Sequence, residues 1–343
     1  MSSTTEQLLY ELARKKNHLS TISPYGYVPG KAPGIAYIVV FALLGLVHIG
    51  LGIRYKYWLV FATLIPGTFL EVIGWAGRLW SAENVYMVTP FLMQIASLII
   101  GPAFYSAWAY TVLGFCINRL GSAYSLLSPK MYLACFVTAD VISLVIQAIG
   151  GGKAAVAAQE GTETGPATKI MLAGILFQLG TMTIFVLLAC DFIARVIFRR
   201  PYAHLKRKHA AQSQSQSPVL EDGAAEPKPS RVNPDGTYAD ADAELNDNQR
   251  QAAAASSATG ARRTADIKNG ERLLAGVAFA SAMIFVRGIY RSIELAQGWT
   301  GYLITHEPYF IYLDGLPMVL CLAAFAISHP GWLLPRRTGW IRA

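Results

Sequence analysis

Charge is scarce in this chain of 343 residues, and it is unevenly placed. Lys, Arg, Asp and Glu together make up 15% of the residues, whereas hydrophobic residues make up 53%. Several segments carry almost no charge over about 20 residues, the length that an α-helix needs to cross ~30 Å of hydrocarbon. This scarcity excludes an ordinary soluble domain and indicates a polytopic membrane protein.

Other features that are missing exclude whole classes of site. The four cysteines (Cys116, Cys135, Cys190 and Cys321) form no C-x-x-C pair, so neither a disulfide framework nor a zinc site is predicted. No G-x-x-x-x-G-K-[ST] motif occurs, so no nucleotide-driven transport is expected. Residues 1–33 are polar and lack the apolar core of a signal peptide, so the first span must direct insertion.

The apolar segments predict an all-α fold of seven transmembrane helices, with aromatic residues at several of their edges. Their predicted ranges are 34–53, 58–80, 89–117, 131–150, 170–198, 273–295 and 308–327. The chain then divides into an extracellular tail (1–33), helices one to five (34–200), a long loop (201–268), helices six and seven (269–330) and a cytosolic tail (331–343). The loop is rich in Gln, Ser, Ala, Pro and charge, and we predict that it is disordered.

The distribution of basic residues predicts the orientation. Most of the 29 Lys and Arg residues fall in the loops between odd and even helices and in the C-terminal tail, including Arg199 and Arg200 directly after the fifth span. Basic residues beside a span favour the cytosolic side. The N-terminus is therefore predicted outside and the C-terminus in the cytosol. The net charge of +8 fits contact with anionic lipid, and no nucleic-acid partner is expected.

Polar residues inside the spans recur at helical spacing on three helices. Glu71, Gly74 and Arg78 share one face, and so do Asp140, Ser143 and Gln147, and Arg287, Arg291 and Glu294. These faces are predicted to meet in a polar interior, either as structural contacts between helices or as contacts that also line a ligand cavity. The candidate cavity residues are Glu71, Arg78, Gln94, Asp140, Gln147, Gln178, Arg287, Arg291, Glu294, Glu307 and Asp314.

Two further expectations concern this interior. At least one of Arg287 and Arg291 is predicted to pair with a carboxylate of another helix (Glu71, Asp140 or Asp314), because an unpaired charge in a membrane is costly. The apolar chain of a ligand is predicted to lie along the third and fifth helices.

Several motifs in the spans resemble those of the fungal lipid-translocating exporters, the aminocholesterol-resistance family. They are EVIGWAGR (71–78), GPAFYSAWAY (101–110), FVTADVISLVIQAIGGG (136–152), Gly174 with Gln178, VRGIYRSIELAQG (286–298), Glu307 with YLDG (312–315), and HPG (329–331). The resemblance covers nearly the whole membrane portion in the same order. Trp75 departs from the pattern, in which Tyr is expected, but keeps an aromatic ring.

The resemblance implies seven helices and the export or translocation of amphipathic lipids, such as sphingoid long-chain bases or sterol-like compounds. It also implies resistance to membrane-active toxins, and membrane lipids as partners. A fungal plasma membrane, or else a vacuolar or other endomembrane, is the implied location. Porphyrin uptake and haem efflux also occur in the family, so a porphyrin is an alternative ligand.

Three alternatives follow from the residues themselves. A seven-helix lipid sensor or receptor fits the topology, although no D-R-Y-like or N-P-x-x-Y motif is present. An enzyme is not expected, because His48 and His329 are predicted at one end of the bundle and His306 at the other, too far apart to hold one metal. No cofactor is expected, but His48 and His329 lie on helices that adjoin in a closed ring and could ligate haem. The sequence does not fix the oligomeric state.

Overall fold

The computed structural model describes residues 25–160, 162–202, 241–298 and 301–333, and for 158, 159 and 241–267 only the backbone. Within these residues, seven helices are long and apolar enough to cross a membrane, and no strand occurs. The predicted all-α, seven-helix fold is confirmed. We name the helices α1 (Lys31–Tyr55), α2 (Leu59–Glu83), α3 (Val88–Leu120), α4 (Pro129–Glu160), α5 (Gly165–Ile197), α6 (Ala241–Gln297) and α7 (Glu307–Leu333).

The helices form a closed ring in which each packs against the next along the chain and α7 returns to α1. α3 also contacts α6 across the middle of the ring, which makes α3 a central helix. Small residues permit these contacts. A Cβ atom on Gly74 would lie 2.4 Å from the Leu98 side chain, and one on Gly174 would lie 2.6 Å from Gln147. Glycine therefore lets α2 approach α3, and α5 approach α4, at backbone distance.

The outer face of the bundle is apolar. Phe69, Leu46 and Leu187 each expose 64% of their surface there. A soluble protein rarely exposes so many large apolar side chains over one continuous surface, whereas lipid tails solvate them. The chain is thus a multi-pass membrane protein.

Two helices differ from their predicted ranges. α4 continues to Glu160, past the glycines at 150–152 where its span was predicted to end. A Cβ on Gly150 would lie 2.5 Å from the backbone nitrogen of Met171, so that glycine serves packing rather than helix termination. α6 begins at Ala241, so part of the loop predicted to be disordered is helical. Its alanine-rich sequence explains the difference, because Ala has the highest helix propensity.

Three predicted regions lie partly or wholly outside the described residues. They are most of the N-terminal tail (1–24), the part of the long loop at 203–240, and the C-terminal tail from 334 onward. Disorder of the loop at 203–240 stays a prediction.

α7 contains a π-helical turn at Ile311–Gly315, between an α-helical turn at Glu307–Phe310 and the α-helix Leu316–Ile327. The hydroxyl of Tyr37 on α1 donates a hydrogen bond of 2.8 Å to the carbonyl oxygen of Ile311 within it. A π turn displaces backbone carbonyls from their α-helical partners. Tyr37 thus supplies a donor to a carbonyl in this turn, which also carries Asp314.

The bundle has two different ends. The Tyr25 end holds residues 25–30 and the first residues of α1, α3, α5 and α7. The His329 end holds the last residues of those four helices.

Candidate functional site

A cluster of ionised side chains lies inside the bundle, toward the Tyr25 end. Asp314 on α7 is at its centre. Its carboxylate accepts hydrogen bonds from Arg291 Nε at 2.5 Å and from a terminal nitrogen of the same guanidinium at 3.0 Å. Two parallel bonds of this kind fix both the distance and the plane of an Arg–carboxylate pair. Arg291 also donates to Glu294 at 2.8 Å, and Tyr290 donates to the other oxygen of Glu294 at 3.1 Å.

Arg287 lies one turn before Arg291 on α6 and shares the same counter-ion. Its Nε is 3.0 Å from Asp314 Oδ1, and a terminal nitrogen donates to the backbone carbonyl oxygen of Leu98 on α3. One carboxylate therefore faces two guanidinium groups. The prediction that at least one of these arginines pairs with a carboxylate of another helix is confirmed.

A third arginine connects this cluster to the Tyr25 end. Arg78 on α2 pairs with Glu307 at 2.9 Å and donates to the hydroxyl of Tyr27 at 2.7 Å. The guanidinium carbons of Arg78 and Arg291 lie 4.5 Å and 5.1 Å from the ring centroid of Phe310. The ring face attracts cations, so Phe310 helps to hold two like charges near one another.

Residues 25–30, which we call the strap, close over this cluster. Tyr25 is buried, its hydroxyl donates to Gln94 Oε1 at 2.7 Å, and it lies 3.0 Å from Ser81 Oγ. The backbone N–H of Gly30 donates to Glu307 at 2.8 Å. Burial raises the pKa of Tyr25 to about 12. The strap is therefore anchored by neutral phenol groups through the physiological pH range.

Two cavities lie beside the charged cluster. The first encloses about 500 Å³ beneath the strap, and the second about 510 Å³ deeper in the bundle. Arg291 lines both of them, so its guanidinium stands at their junction.

The cavity walls combine polar and apolar side chains. Apolar residues of α3 and α5 line both cavities: Phe91, Ile95, Ile99, Met171, Ile175, Leu179 and Met182. Gln94 and Glu294 line the first cavity, and Gln147 and Gln178 line the second. Gln147 donates to Gln178 at 3.1 Å, which joins α4 to α5. An elongated amphipathic molecule matches this lining, since polar groups and apolar walls alternate along one path.

The structure divides the predicted site residues into two sets. Seven of them line one cavity or both: Arg78, Gln94, Gln147, Gln178, Arg287, Arg291 and Glu294. The other four, Glu71, Asp140, Glu307 and Asp314, line neither. Asp314 and Glu307 act as counter-ions, and Asp140 accepts a hydrogen bond of 3.0 Å from Tyr110. Ligand binding by these residues stays a prediction.

The two predicted haem ligands are buried at the His329 end. His48 on α1 and His329 on α7 lie on adjoining helices, as expected for a closed ring. His48 Nε2 is 3.0 Å from the carbonyl oxygen of Leu322, and His329 Nδ1 accepts from the Gly331 N–H at 3.0 Å. The His329 ring packs near the rings of Tyr57 and Trp108. Within the described residues, no group of three or more His, Cys, Asp and Glu side chains could hold a metal ion.

Sequence reasoning missed the aromatic members of the site. Tyr25 and Tyr27 belong to a polar segment outside the spans, and Phe310 is one of many apolar residues in a span. A weak signal was present in Gly26, which adopts φ 69° and allows the strap to turn. Contacts between residues more than 50 positions apart leave no periodicity to read.

The chain was compared with known proteins. The model of the family described as "RTA1 like protein" matches residues 64–337. The sphingoid long-chain base transporter RSB1 of Saccharomyces cerevisiae is 32% identical over 98% of this chain and 80% of its own length. Protoporphyrin uptake protein 1 of the same yeast is 25% identical over 78% of this chain and 68% of its own length.

Protein RTM1, also from Saccharomyces cerevisiae, is 25% identical over 82% of this chain and 72% of its own length. No solved structure matches. The family model covers six of the seven helices and includes every residue of the charged cluster. Together with the full-length similarity to the yeast transporter, this shows that the chain belongs to the RTA1-like family of fungal lipid exporters.

Proposed function

We propose that this protein moves sphingoid long-chain bases across the bilayer and catalyses no covalent reaction. The observation that carries the proposal is the similarity to a sphingoid long-chain base transporter, which extends over 98% of this chain. Such a molecule has an ammonium and hydroxyl headgroup on a single alkyl chain. Its chemistry requires a hydrogen-bond acceptor beside an apolar passage.

The cavities provide both requirements. Glu294 is the one carboxylate of the charged cluster that lines the first cavity, and Gln94 lies in the same wall. Each carboxylate oxygen of Glu294 accepts one protein hydrogen bond and retains a lone pair for an ammonium donor. The apolar residues of α3 and α5 continue from there past Arg291 into the second cavity. We therefore place the headgroup beside Glu294 and the alkyl chain along α3 and α5.

Purified protein in liposomes tests the proposal. A long-chain base is loaded inside, and albumin outside traps each molecule that reaches the outer leaflet. Transfer is expected to be faster than in liposomes without protein. Glu294→Gln is expected to slow transfer, whereas the exposed Glu83→Gln on α2 serves as the matched control. Equal transfer with and without folded protein would contradict the proposal.

A porphyrin is a second candidate ligand, supported by the similarity to protoporphyrin uptake protein 1. His48 and His329 each keep one buried ring nitrogen without a hydrogen-bond partner among the described residues. Axial ligation would use those nitrogens, but the macrocycle would have to displace the packed rings of Tyr57 and Trp108. A Soret band in purified protein that disappears in the double variant His48→Ala/His329→Ala would support haem binding.

We also propose a fungal plasma membrane as the location, with the Tyr25 end outside. The support is the excess of Lys and Arg in segments that connect at the His329 end. An epitope inserted at position 220 should be cleaved by external protease only after cells are permeabilised. Cleavage on intact cells would reverse the orientation.

A further inference from the structure

Glu71 differs from the other carboxylates of the interior. It lies on α2 with 0% of its surface exposed, and neither oxygen has a hydrogen-bond partner among the described residues. A Cβ atom on Gly101 of α3 would come within 3.1 Å of its Oε1, so the carboxyl group lies against the backbone of the neighbouring helix. An ionised carboxylate without donors is strongly disfavoured in such a place, whereas a protonated one is tolerated.

Donors for the ionised form nevertheless stand close by. The indole N–H of Trp75 lies one turn along α2 and has no acceptor among the described residues. Arg287 and Arg291 of α6 and Asp314 of α7 are the charged groups that face Glu71. The remaining titratable neighbours are Tyr105 of α3 and Cys321 of α7. The surroundings can therefore receive either charge state after a small rearrangement.

We propose that Glu71 is a proton-binding site, and that the structure shows its protonated form. When the proton leaves the carboxyl oxygen, the resulting carboxylate accepts hydrogen bonds from Trp75 Nε1 and from Arg287. Arg287 then gives up its bond to the Leu98 carbonyl oxygen or shares Asp314 less closely. Because Arg287 lines the second cavity, the charge state of Glu71 changes the wall of that cavity.

Coupling to transport rests on the proposed function, whereas proton binding itself does not. A proton that enters on Glu71 as a long-chain base leaves balances one positive charge against another. The exchange is electroneutral, and it needs no nucleotide. Protonation from one side and release to the other would make a pH gradient the energy source.

Infrared spectroscopy tests proton binding without any substrate. Wild-type protein in lipid discs is expected to show the carbonyl stretch of a protonated glutamic acid, identified by its shift on labelling glutamate with ¹³C. The band should disappear at alkaline pH. It should be absent from Glu71→Gln, which has the shape of the protonated acid, and unchanged in Glu83→Gln. Absence of a glutamic acid band from wild-type protein at every pH would overturn the proposal even if Glu71→Gln failed to fold.

Transport across a pH gradient tests the coupling. An N-trimethylated long-chain base carries a fixed charge, so it cannot accumulate by crossing as the neutral amine. With one pH unit across liposomes, one-for-one exchange by the wild type would accumulate it about tenfold. Glu71→Gln is expected to equilibrate the compound without accumulation, and Glu83→Gln to behave as the wild type.

The possible outcomes separate the two proposals. Accumulation by Glu71→Gln at the wild-type level would overturn proton coupling through this residue. Loss of all binding of the base in Glu71→Gln, with or without a gradient, would make Glu71 an ammonium site and also overturn it. A glutamic acid band in a wild type that moves no base would leave the proton site standing and remove the proposed function.

Discussion

The two ends of the bundle bury polar groups in opposite ways. Toward the Tyr25 end, three arginines are paired with carboxylates, and two cavities lie beside them. At the His329 end, His48 and His329 pack among the rings of Tyr55, Tyr57 and Trp108 and bond to backbone groups. The first arrangement depends on charge balance and tolerates empty space, whereas the second depends on close contact between uncharged groups. We conclude that the first end is organised to admit a ligand and the second to hold the helices together.

Removing the central counter-ion should have the largest effect on this difference. Asp314→Ala leaves Arg287 and Arg291 buried with too little negative charge, and loss of one partner of a buried pair costs about 3–5 kcal/mol. We expect a large fall in the midpoint of thermal unfolding in detergent. The matched control is Asp191→Ala, which breaks the partly exposed pair with Arg195 and should leave the midpoint unchanged. Similar midpoints for the two variants would show that the buried pairs do not stabilise the bundle.

Close packing at the His329 end should give the next largest effect. A Cβ atom on Gly331 would lie 2.3 Å from the ring of Tyr55. Overpacking of this kind costs about 1–3 kcal/mol, so Gly331→Ala is expected to lower the unfolding midpoint. Gly50→Ala on α1 is the control, since a Cβ there meets nothing within 4 Å. Stability of Gly331→Ala equal to that of the control would mean that this end is loosely packed.

The function of the Tyr25 end can be separated from its stability at Arg291. Arg291→Ala leaves Arg287 to balance Asp314 but removes the guanidinium at the junction of the cavities. We expect about tenfold lower resistance of cells to long-chain bases, equivalent to ~1.4 kcal/mol. Arg119→Ala, at the exposed His329 end of α3, should change resistance little when both variants are expressed equally. Equal resistance would leave the cluster as structural contacts between helices.

The strap should give the smallest effect. Tyr25→Phe removes the hydrogen bond to Gln94, which is worth about 0.5–1.5 kcal/mol, and keeps the ring against Phe91. A raised pKa means that folding favours the protonated phenol. Its contribution is therefore complete below pH 10 and is lost as the pH rises from 10 to about 12. Difference absorbance of tyrosinate should show one group titrating near pH 12 that is absent from Tyr25→Phe. A normal titration of that group would show that the strap is detached in solution.

Composition and spacing were sufficient to predict the seven helices and the inward direction of the three polar faces. Arg78, Gln147 and Arg291 are buried as their spacing indicated. Spacing within single helices could not tell which carboxylate meets the arginines. Asp314 does so because a π turn sets its direction, and a calculation based on 3.6 residues per turn has no means of including that turn.

Two other features were beyond sequence reasoning for different physical reasons. The strap depends on pairs such as Tyr25 with Gln94, which only the folded ring brings together. The first residues of α6 belong to a segment whose low hydrophobicity indicated disorder, although its alanines favour a helix. In that segment, local propensity and the lack of apolar surface pointed to opposite conclusions.

The π turn in α7 has a consequence for insertions and deletions. A π turn is equivalent to one extra residue within an α-helix, and one residue corresponds to a rotation of about 100°. Deleting Leu313 alone would restore an unbroken α-helix while turning everything that precedes it relative to everything that follows. Glu307 and His329 could then no longer both face the interior, although neither residue had been changed. The reading frame of this helix is thus as strictly constrained as the identity of its side chains.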